Sequence, residues 1–456
     1  MSSMVSIYDS ALQEVVPLDM RDEGKVSIYV CGPTVYGPPH IGHGRMALTF
    51  DILRRYLIWA SYDVTFVSNV TDIDDQIINR ANREGRDWAD IAVKCEAIWW
   101  QAMDALNVLR PDHTPHATDY VDEMVDLIGR LIADDKAYVT SDGIYLSVEC
   151  VEGYGLLAHQ NLDDMRAGGG DREIVGTEKR HPADFALWKF AKPGEPHWPS
   201  PWGDGRPGWH TECVVMSLGL LGEGFDLHTG GMDLTFPHHE NERAQAVALG
   251  ADFARHWMHN GFVELEGEKM SKSLGNVKNL LDLVDEYDAR AYRLLILQSH
   301  YRSPIEVTDT TLKQAAAAVD RLDGFARRTA GLDATPDESV MAAFGEAMGN
   351  DLDTAKAVDL LFRQVREANT ALDGGDDAVA AVAAATATAI AEVLGLELRR
   401  DGGSVPAEIV ALAAERQEAR AARNFDRADT IREQLTEAGW VVEDSADGPV
   451  IRPLVG

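Results

Sequence analysis

The segment from Val26 to Arg45 places the strongest constraint on the fold of this chain. A short apolar run, Val26–Val30, is followed by a turn rich in glycine and proline and then by a helix-like stretch. Such a junction presents unpaired backbone N–H groups and the positive end of a helix dipole, which suit a bound phosphate. His40 and His43 share one helical face there and could stabilise charge that develops in a transition state. The alternative is a plain turn with incidental histidines, and the junction alone favours it.

The residues that follow this junction predict an α/β fold. Met46–Tyr62 carries apolar side chains at helical spacing, and a second apolar run, Val64–Val70, ends at Thr71. A strand, a helix and a second strand in this order form the βαβ unit of a parallel sheet. Ligands of such sheets bind beyond the carboxyl ends of the strands, where Cys31 and Thr71 both lie. The carboxylates after Thr71 are as readily a charge cluster at a helix N-terminus as part of a site, namely Asp72, Asp74 and Asp75.

A second motif, Lys269-Met-Ser-Lys-Ser273, changes the interpretation of the histidine pair. Together, His40-Ile-Gly-His43 and this lysine motif resemble the signature pair of class I aminoacyl-tRNA synthetases. Surrounding segments narrow the resemblance to the cysteinyl-tRNA synthetase family, and it extends over nearly the whole chain. Two of these segments are Asp184-Phe-Ala-Leu-Trp188 and Trp198-Pro-Ser-Pro-Trp202. The resemblance implies a Rossmann-type nucleotide-binding domain and an enzyme that activates L-cysteine with ATP and transfers it to the 3′ end of tRNA(Cys).

The resemblance also implies which residues act on the substrates. The reaction requires mainly positioning and stabilisation of charge on a triphosphate, and magnesium would accompany ATP. The residues expected to carry catalysis are His40, His43, Lys269 and Lys272. The expected ATP-binding residues are Gly42, Gly230, Gly231 and Asp233, in addition to His40, His43 and Lys272. The expected contacts to the amino acid are Thr71, Trp209 and His210. Taken singly, the glycine pair is as readily a tight turn, and Trp209 an ordinary core aromatic.

Two further segments carry residues that could bind a metal ion. His238 and Glu242 lie four residues apart after a proline, so they share one face of the first turns of a helix. With Cys31 and Cys213 they would supply two thiolates, an imidazole and a carboxylate, a set that suits zinc. Because these residues come from three separate segments, their spacing alone favours buried cysteines and a capped helix start. The resemblance implies that these four residues bind one zinc ion, with His239 as the second choice for the imidazole.

Zinc would solve a problem of discrimination. Small differences in a side chain change binding by only about 1–3 kcal/mol, so shape alone could hardly separate cysteine from serine or alanine. A soft metal that accepts the substrate thiolate would separate them directly. Four protein ligands normally close a structural zinc site, so a functional site requires a fifth ligand or a weakly held one, and the sequence leaves both open.

The chain divides into regions that resemblance and composition predict together. We expect a Rossmann catalytic domain over 1–260, interrupted by a connective insertion at about 115–205, and then a signature-loop and stem-contact region over 261–305. A bundle of alanine-rich helices follows over 306–400, and a C-terminal anticodon-binding domain over 401–456. This last region carries a run of arginines, which is either a basic surface for RNA or a salt-bridged helix face.

The charge balance is unusual for a protein that binds RNA. The 456 residues include 75 acidic and 42 basic side chains, which give a formal net charge of −33. We interpret this as adaptation to a salt-rich cytoplasm, because at about 1 M salt the Debye length falls to about 3 Å and repulsion from a polyanion is screened. A merely well-solvated surface is the alternative.

Other features of the sequence concern its environment. Four scattered cysteines are too few for a disulfide framework. No apolar run reaches the roughly 18–20 residues of a membrane span, and the N-terminus lacks a basic segment followed by an apolar one. We therefore expect a monomeric cytoplasmic protein without a membrane partner.

Two rival functions fit part of the sequence. A related ligase that passes activated cysteine to an amino sugar would lack a C-terminal anticodon module, and this chain carries one by resemblance. A catalytically silent, zinc-bearing RNA-binding paralogue would be expected to lose a signature histidine or lysine, and all four are present. Both considerations favour the synthetase.

Overall fold

The computed structural model describes residues 5–162, 178–265, 268–269, 278–400, 407–422, 424–438, 440–445 and 448–453. The elements of the first half are, in chain order, β1 (Ser6–Asp9), β2 (Glu14–Pro17), β3 (Lys25–Val30), α1 (Ile41–Trp59), β4 (Asp63–Ser68), α2 (Asp75–Glu84), α3 (Trp88–Ala105), α4 (Val121–Ala133), β5 (Ala137–Val139), β6 (Gly143–Leu146), β7 (Phe185–Phe190), β8 (Gly205–Pro207), α5 (Trp209–Leu221) and β9 (Phe225–Gly231).

The second half is mainly helical. Its elements are α6 (Glu240–Ala248), β10 (Ala254–Asn260), β11 (Val263–Leu265), β12 (Glu268–Lys269), α7 (Leu280–Glu286), α8 (Ala289–Leu297), β13 (Ile305–Glu306), α9 (Asp309–Arg328), α10 (Glu338–Gly349), α11 (Thr354–Gly374), α12 (Asp377–Val393), α13 (Ala407–Ala421), α14 (Phe425–Glu437), β14 (Trp440–Ser445) and β15 (Gly448–Pro453).

A four-stranded parallel sheet carries the site. Its spatial order is β10, β9, β3, β4, and every neighbouring pair runs parallel, so the predicted βαβ unit and the α/β fold class are confirmed. The chain leaves β3 through α1 to reach β4 on one side, and it later returns to β9 on the other side. The order therefore reverses between β3 and β9, and ligands of open parallel sheets bind at such a switch point, beyond the carboxyl ends of the strands.

The bounds of the first helix and the second strand differ from those expected. Helix α1 begins at Ile41 instead of Met46, because His40 caps it, and it ends at Trp59. Strand β4 ends at Ser68, and Val70 instead pairs with His116 through an isolated bridge. The helix therefore begins directly after the glycine-proline turn, which brings both histidines into its first turn.

Between β4 and β9 in the sequence, the chain forms a separate antiparallel sheet with the order β5, β6, β7, β8. Its apolar side chains, including Leu187 and Trp188, join α4 and α5 in one buried cluster. The chain leaves this sheet at Gly208, where an added Cβ would lie only 1.9 Å from the carbonyl oxygen of Ala186. Glycine at this position allows α5 to begin directly against strand β7.

Helices α9 to α12 form the expected alanine-rich bundle, and it shares one continuous core with α1 and α8. A buried ion pair lies at this junction: Arg293 on α8 donates to Asp51 on α1 at 2.8 Å, and both side chains are 1% exposed. Arg293 also donates to the carbonyl groups of Leu106 and Leu394. One guanidinium therefore connects helix α1, which packs beside the parallel sheet, to the bundle.

We expect Asp51→Asn to lower the free energy of unfolding by about 3–5 kcal/mol, because it leaves the buried Arg293 without its anion. Urea unfolding followed by tryptophan fluorescence would measure the loss. The matched control is Asp359→Asn, which removes the partner of the exposed Arg363 on α11 and should leave unfolding unchanged. Equal effects of the two substitutions on the free energy of unfolding would contradict a stabilising role for the buried Asp51–Arg293 pair.

The C-terminal region packs a helical hairpin around its own small core. Side chains of α13 and α14 meet a strand of the β14–β15 hairpin, and the core residues are Ile409, Ala413, Ile431, Leu435 and Val442. Of the arginines, Arg427 pairs with Glu415 at 2.6 Å and Arg432 with Asp429 at 3.3 Å. These two arginines fit a salt-bridged helix face, so RNA contacts of this region stay a prediction.

Two expectations about the environment can be compared with the structure. None of the four cysteines forms a disulfide bond, and Cys31, Cys95 and Cys213 are buried. Among the described residues, no helix combines the length and apolar character that crossing a bilayer requires.

Candidate active site

The two signature histidines cap the first turn of α1 reciprocally. The backbone N–H of His43 donates to Nδ1 of His40 at 3.3 Å, and the N–H of His40 donates to Nδ1 of His43 at 3.1 Å. The rings stack with centroids 3.6 Å apart, and the edge of Trp99 contacts His43. Since both Nδ1 atoms accept hydrogen bonds, each neutral ring carries its proton on Nε2.

Burial keeps both imidazoles neutral. It lowers the pKa of His43 to about 3, to which the neighbouring His40 also contributes. Burial likewise lowers the pKa of His40, although the charge of Asp233 opposes this shift. The helix N-terminus therefore offers two Nε2–H donors together with its free backbone N–H groups, which is an arrangement for binding phosphate oxygens.

The residues that flank the lysine motif are hydrogen-bonded on both sides. On one side, Lys269 in β12 pairs with Glu264 in β11. On the other side, the N–H of Ile41 donates to the carbonyl of Lys278, and the N–H of Leu280 donates to the carbonyl of Pro39. The side chain of Lys269 and the whole of Lys272 lie outside the described residues, so their expected roles stay predictions.

Arg45, which no sequence motif indicated, also holds the start of α1 in place. Its buried guanidinium donates to the carbonyl groups of Phe262, Tyr301 and Ser303. Burial lowers the pKa of Arg45 to about 10. The first turns of α1 are thereby attached to the segments that lead into β11 and β13.

The four residues expected to bind zinc lie together, fully buried, at the switch point of the sheet. The Sγ atoms of Cys31 and Cys213 are 3.8 Å apart. Sγ of Cys213 lies 3.6 Å from Nε2 of His238, and Sγ of Cys31 lies 3.4 Å from Oε1 of Glu242. Nε2 of His238 lies 3.0 Å from the same Oε1.

These separations fit a zinc ion. Tetrahedral zinc with its usual bond lengths would place two sulfur ligands about 3.8 Å apart, sulfur and nitrogen about 3.6 Å apart, and nitrogen and oxygen about 3.4 Å apart. Both separations that involve Cys213 match these values, and those made by Glu242 are shorter by a few tenths of an ångström. The donor set of two thiolates, an imidazole and a carboxylate is chemically suited to the same ion.

Surrounding histidines orient the donor atoms. Oε2 of Glu242 lies 2.7 Å from Nε2 of His228. Nδ1 of His238 lies 2.9 Å from Nδ1 of His210, so one of these nitrogens carries the shared proton. Burial alone would raise the pKa of Glu242, but the neighbouring rings of His228 and His238 hold it well below its usual range. The carboxyl group is therefore ionised, as a metal ligand requires.

His239 belongs to a second possible donor set. Together with Cys31, His228 and Glu242 it also places one ligand atom per residue within 4.8 Å of the others. Its Nδ1, however, lies 2.8 Å from Nε2 of His259, whereas Nε2 of His238 lies directly beside Cys213. We retain His238 as the expected ligand and His239 as the alternative.

The residues expected to contact the amino acid surround this cluster. Trp209, the first residue of α5, stacks on the ring of His238 with centroids 3.9 Å apart. His210 follows it, half-buried, and desolvation lowers its pKa well below the usual value. Thr71 reaches the cluster through Asn69, whose side chain donates to Thr71 and whose Oδ1 lies 3.8 Å from Sγ of Cys213.

The three carboxylates that follow Thr71 have structural partners. Asp72 accepts hydrogen bonds from Thr118, and Asp74 caps helix α2. Asp75 pairs with Lys189 and Arg206 of the antiparallel sheet. These contacts fit the interpretation as a charge cluster at a helix N-terminus.

The residues expected at the adenosine lie at the carboxyl end of β9, whose last two residues are Gly230 and Gly231. An added Cβ at Gly230 would lie 2.9 Å from atoms of both His239 and Leu234, and one at Gly231 would lie 2.5 Å from Oδ1 of Asp233. Close approach thus explains both glycines, and Asp233 is exposed at this edge. Gly42 lies in the first turn of α1 between the two histidines.

Fold and site together define a class I aminoacyl-tRNA synthetase: a parallel sheet whose first helix starts at paired histidines, followed in the sequence by the lysine motif and then by a helical bundle. Three family models match the chain: "tRNA synthetases class I (C) catalytic domain" over residues 17–317, "DALR domain" over 343–399 and "Cysteinyl-tRNA ligase anticodon binding domain" over 403–452. The chain belongs to the cysteinyl-tRNA synthetase family.

Individual relatives agree with this assignment. A cysteine–tRNA ligase of Geobacter sulfurreducens is 45% identical over 94% of this chain and 95% of its own length. One of Alkalilimnicola ehrlichii is 44% identical over 98% of this chain and all of its own length. Among solved structures, Mycobacterium tuberculosis methionyl-tRNA synthetase in complex with methionyl-adenylate has a TM-score of 0.59 at 16% identity, covering 81% of this chain and 89% of its own. At that identity the likeness concerns the fold alone.

Proposed function

We propose that this protein is an ATP-dependent cysteine–tRNA ligase that forms cysteinyl-adenylate and transfers the cysteinyl group to the 3′ end of tRNA(Cys). The observation that carries the choice of amino acid is the buried cluster of Cys31, Cys213, His238 and Glu242 beside Trp209. A zinc ion held by these donors binds a thiolate more strongly than a hydroxyl group, and it does not bind an alkyl side chain. The cluster therefore favours cysteine as the substrate.

The first step joins the amino acid to ATP. A carboxylate oxygen of cysteine attacks the α-phosphorus, the bond to the bridging oxygen breaks, and pyrophosphate leaves. We assign to His40 and His43 the donation of Nε2–H hydrogen bonds to phosphate oxygens, where negative charge increases in the transition state. Lys269 and Lys272 would neutralise the same triphosphate, with magnesium bound to ATP.

The other expected ATP contacts come from residues at the end of β9 and from the first turn of α1. Gly230 and Gly231 would let the backbone approach adenosine closely, Asp233 would accept hydrogen bonds from the ribose hydroxyls, and Gly42 would leave room beside the phosphates. In the second step a hydroxyl of the terminal ribose of the tRNA attacks the cysteinyl carbonyl, and AMP leaves.

The four donors would hold one zinc ion, which supplies a soft Lewis acid for the substrate thiolate. Trp209 and His210 would close the pocket around the side chain, and Thr71 would bind the amino acid backbone. Serine and alanine would lose the bond to sulfur, which supports discrimination beyond what shape provides.

The other assignments rest on family membership and composition. We propose a catalytic domain over 1–260 with its insertion at about 115–205, a connecting region over 261–305, a bundle over 306–400 and an anticodon-binding domain over 401–456. We further propose a monomer that works in the cytoplasm, where its tRNA and ATP are found. Adaptation to a salt-rich environment stays a prediction from the net charge alone.

Charging of tRNA(Cys) tests the proposal. In molar potassium chloride, labelled cysteine and ATP should give cysteinyl-tRNA, and serine should give none. Cysteine-dependent pyrophosphate exchange without charging would mean that the activated cysteine goes to another acceptor, such as an amino sugar. Absence of both activities would favour the catalytically silent paralogue.

A further inference from the structure

An open groove of about 490 Å³ lies beside the turn that carries the paired histidines. One side of it is the segment Tyr36–Pro38, which ends two residues before His40, and the other side is one face of helix α2. The helical residues that line the groove lie three or four positions apart, namely Gln76, Asn79, Arg80, Arg83 and Glu84. Its volume is within the range of about 300–1,000 Å³ that is typical of ligand sites.

Both sides of the groove begin at the candidate active site. The turn leaves β3 at Cys31, an expected zinc ligand, and α2 begins four residues after Thr71. Backbone hydrogen bonds join the two segments there: the N–H of Val35 donates to the carbonyl of Thr71, and the N–H of Thr71 donates to that of Pro33. The groove therefore starts at the edge of the site where the adenylate would form.

Arg80 holds the two sides of the groove together. Its guanidinium donates to the carbonyl of Tyr36 at 2.7 Å and lies 3.3 Å from Sγ of Cys95 on α3. Nε of Arg80 also donates to Oε1 of Glu84 at 2.6 Å, so the carboxylate of Glu84 is already paired with a cation. Contacts within the protein therefore fix the shape of the groove.

The groove presents a cation, two amides and an aromatic ring to a ligand. Arg83 is exposed, and no ion pair joins it to a carboxylate in the described part of the chain. Gln76 and Asn79 are also exposed, and each amide can both donate and accept hydrogen bonds. The half-buried ring of Tyr36 adds apolar surface. Groups of these kinds bind the phosphates and unpaired bases of single-stranded nucleic acid.

The position of the groove favours one occupant. In the proposed reaction the adenylate forms beside His40, and the substrate that must then reach it is the terminal ribose of tRNA(Cys). That ribose ends a single-stranded segment, whose bases are accessible to side chains, whereas an RNA duplex is recognised mainly by its shape. The charge of Arg83 is complementary to the backbone of such a segment, although the protein as a whole has a formal net charge of −33.

We propose that the groove between Tyr36–Pro38 and α2 binds the single-stranded 3′ end of tRNA(Cys). Arg83 contacts a phosphate, and Gln76 and Asn79 contact exposed bases. The inference rests on the proposed function and adds the surface that guides the acceptor to the adenylate.

We expect Arg83→Ala to lower kcat/KM for tRNA(Cys) in charging by about 10-fold, the loss expected for one charge-assisted contact to a phosphate. Cysteine-dependent pyrophosphate exchange, which needs no tRNA, should keep its kcat and its KM for ATP and cysteine within about twofold. The loss in charging should shrink as potassium chloride is raised, because the contact is electrostatic. Both assays use the full-length protein.

The matched control is Arg86→Ala. It removes an exposed arginine just past the end of α2 that does not line the groove, so charging should stay within about twofold of the wild type. Asn79→Ala is a second test of the groove itself. It should lower kcat/KM for tRNA(Cys) by about threefold, since a hydrogen bond between neutral groups contributes less than a charged one.

Binding of two forms of the tRNA identifies the segment that occupies the groove. Filter binding compares intact tRNA(Cys) with tRNA(Cys) that lacks its single-stranded 3′ end. Arg83→Ala should weaken binding of the intact tRNA by about 10-fold and should not change binding of the shortened tRNA, because the two changes remove the same contact.

Equal weakening of the intact and the shortened tRNA by Arg83→Ala would place the contact elsewhere on the tRNA and overturn the inference. A raised KM for ATP in pyrophosphate exchange would assign Arg83 to the triphosphate instead, and unchanged charging would leave only a solvated helix face. With the wild type active in charging, each of these outcomes leaves the proposed function intact. Absence of charging by the wild type would refute the proposed function and this inference with it.

Discussion

Cys213→Ser is expected to abolish retention of zinc. The serine hydroxyl is a poor zinc ligand at neutral pH, and Sγ of Cys213 lies 3.8 Å from Sγ of Cys31 and 3.6 Å from Nε2 of His238, so the substitution removes one of the two thiolates of the expected ligand set. Substituting a residue that only hydrogen-bonds to a metal ligand lowers metal affinity by about 10- to 100-fold. Loss of a ligand itself should lower metal affinity by more than that. Metal analysis after dialysis against a chelator would measure it.

The matched control is Cys150→Ser. This thiol is half-buried and donates only to backbone carbonyl groups, those of Ser147 and Lys136, so the variant should keep one equivalent of zinc. The Cys213→Ser protein should also lose cysteine-dependent pyrophosphate exchange without gaining activity on serine. One full equivalent of zinc in dialysed Cys213→Ser would refute the ligand assignment.

The same measurement separates the two imidazoles. His238→Ala should lose zinc, whereas His239→Ala should retain it, since His239 is engaged with His259. The reverse result would place the ion in the set formed by Cys31, His228, His239 and Glu242.

His43→Asn is expected to lower kcat of pyrophosphate exchange by about 100- to 1,000-fold, the usual effect of removing one donor to developing charge. The Asn side chain can still accept the hydrogen bond from the N–H of His40, so the capping of α1 survives while the distal N–H is lost. KM for cysteine should change little, because the contact strengthens only in the transition state. Steady-state exchange kinetics and thermal unfolding together provide the measurement.

His43→Ala serves as the comparison. It loses the donor and the cap, so it should show the same fall in kcat and an additional loss of about 1 kcal/mol of stability. Because the pKa of His43 is lowered to about 3, its protonation should cause no step in the rate between pH 5 and 9. More than a tenth of wild-type kcat in His43→Asn, or a step near the ordinary histidine pKa that this variant removes, would contradict the role.

The predictable part of the fold was the part with local signals. Apolar runs and the glycine-proline turn indicated the βαβ unit, and the spacing of His238 and Glu242 indicated a shared helical face. The proximity of Cys31 to Cys213 could not be predicted from local patterns. It depends on how α5 packs against the end of β3, and the spacing of residues along the chain does not determine that packing. Family resemblance supplied this pairing before the structure did.

Residues that act through long-range contacts were missed. Arg45 donates hydrogen bonds to backbone carbonyl groups more than 200 residues away. Because any residue type supplies a backbone carbonyl, the sequence does not indicate these partners. Glu212, whose Oε2 lies 3.0 Å from Oγ1 of Thr71, did leave a signal: it is the only charged residue of α5, whose positions from Thr211 to Ser217 are all buried. A single carboxylate within a run of consecutive buried residues indicates a specific partner or a ligand.

The pairing of Pro39–Ile41 with Lys278–Leu280 has a consequence for synthesis of the protein on the ribosome. The paired histidines emerge early, but the strand-like contact that surrounds them is supplied by residues made much later, as is the carbonyl group of Phe262 that binds Arg45. A nascent chain therefore passes through a long interval in which the turn that carries the paired histidines lacks these contacts. We expect such a chain to be unable to activate the amino acid until the segment after the lysine motif has left the exit tunnel.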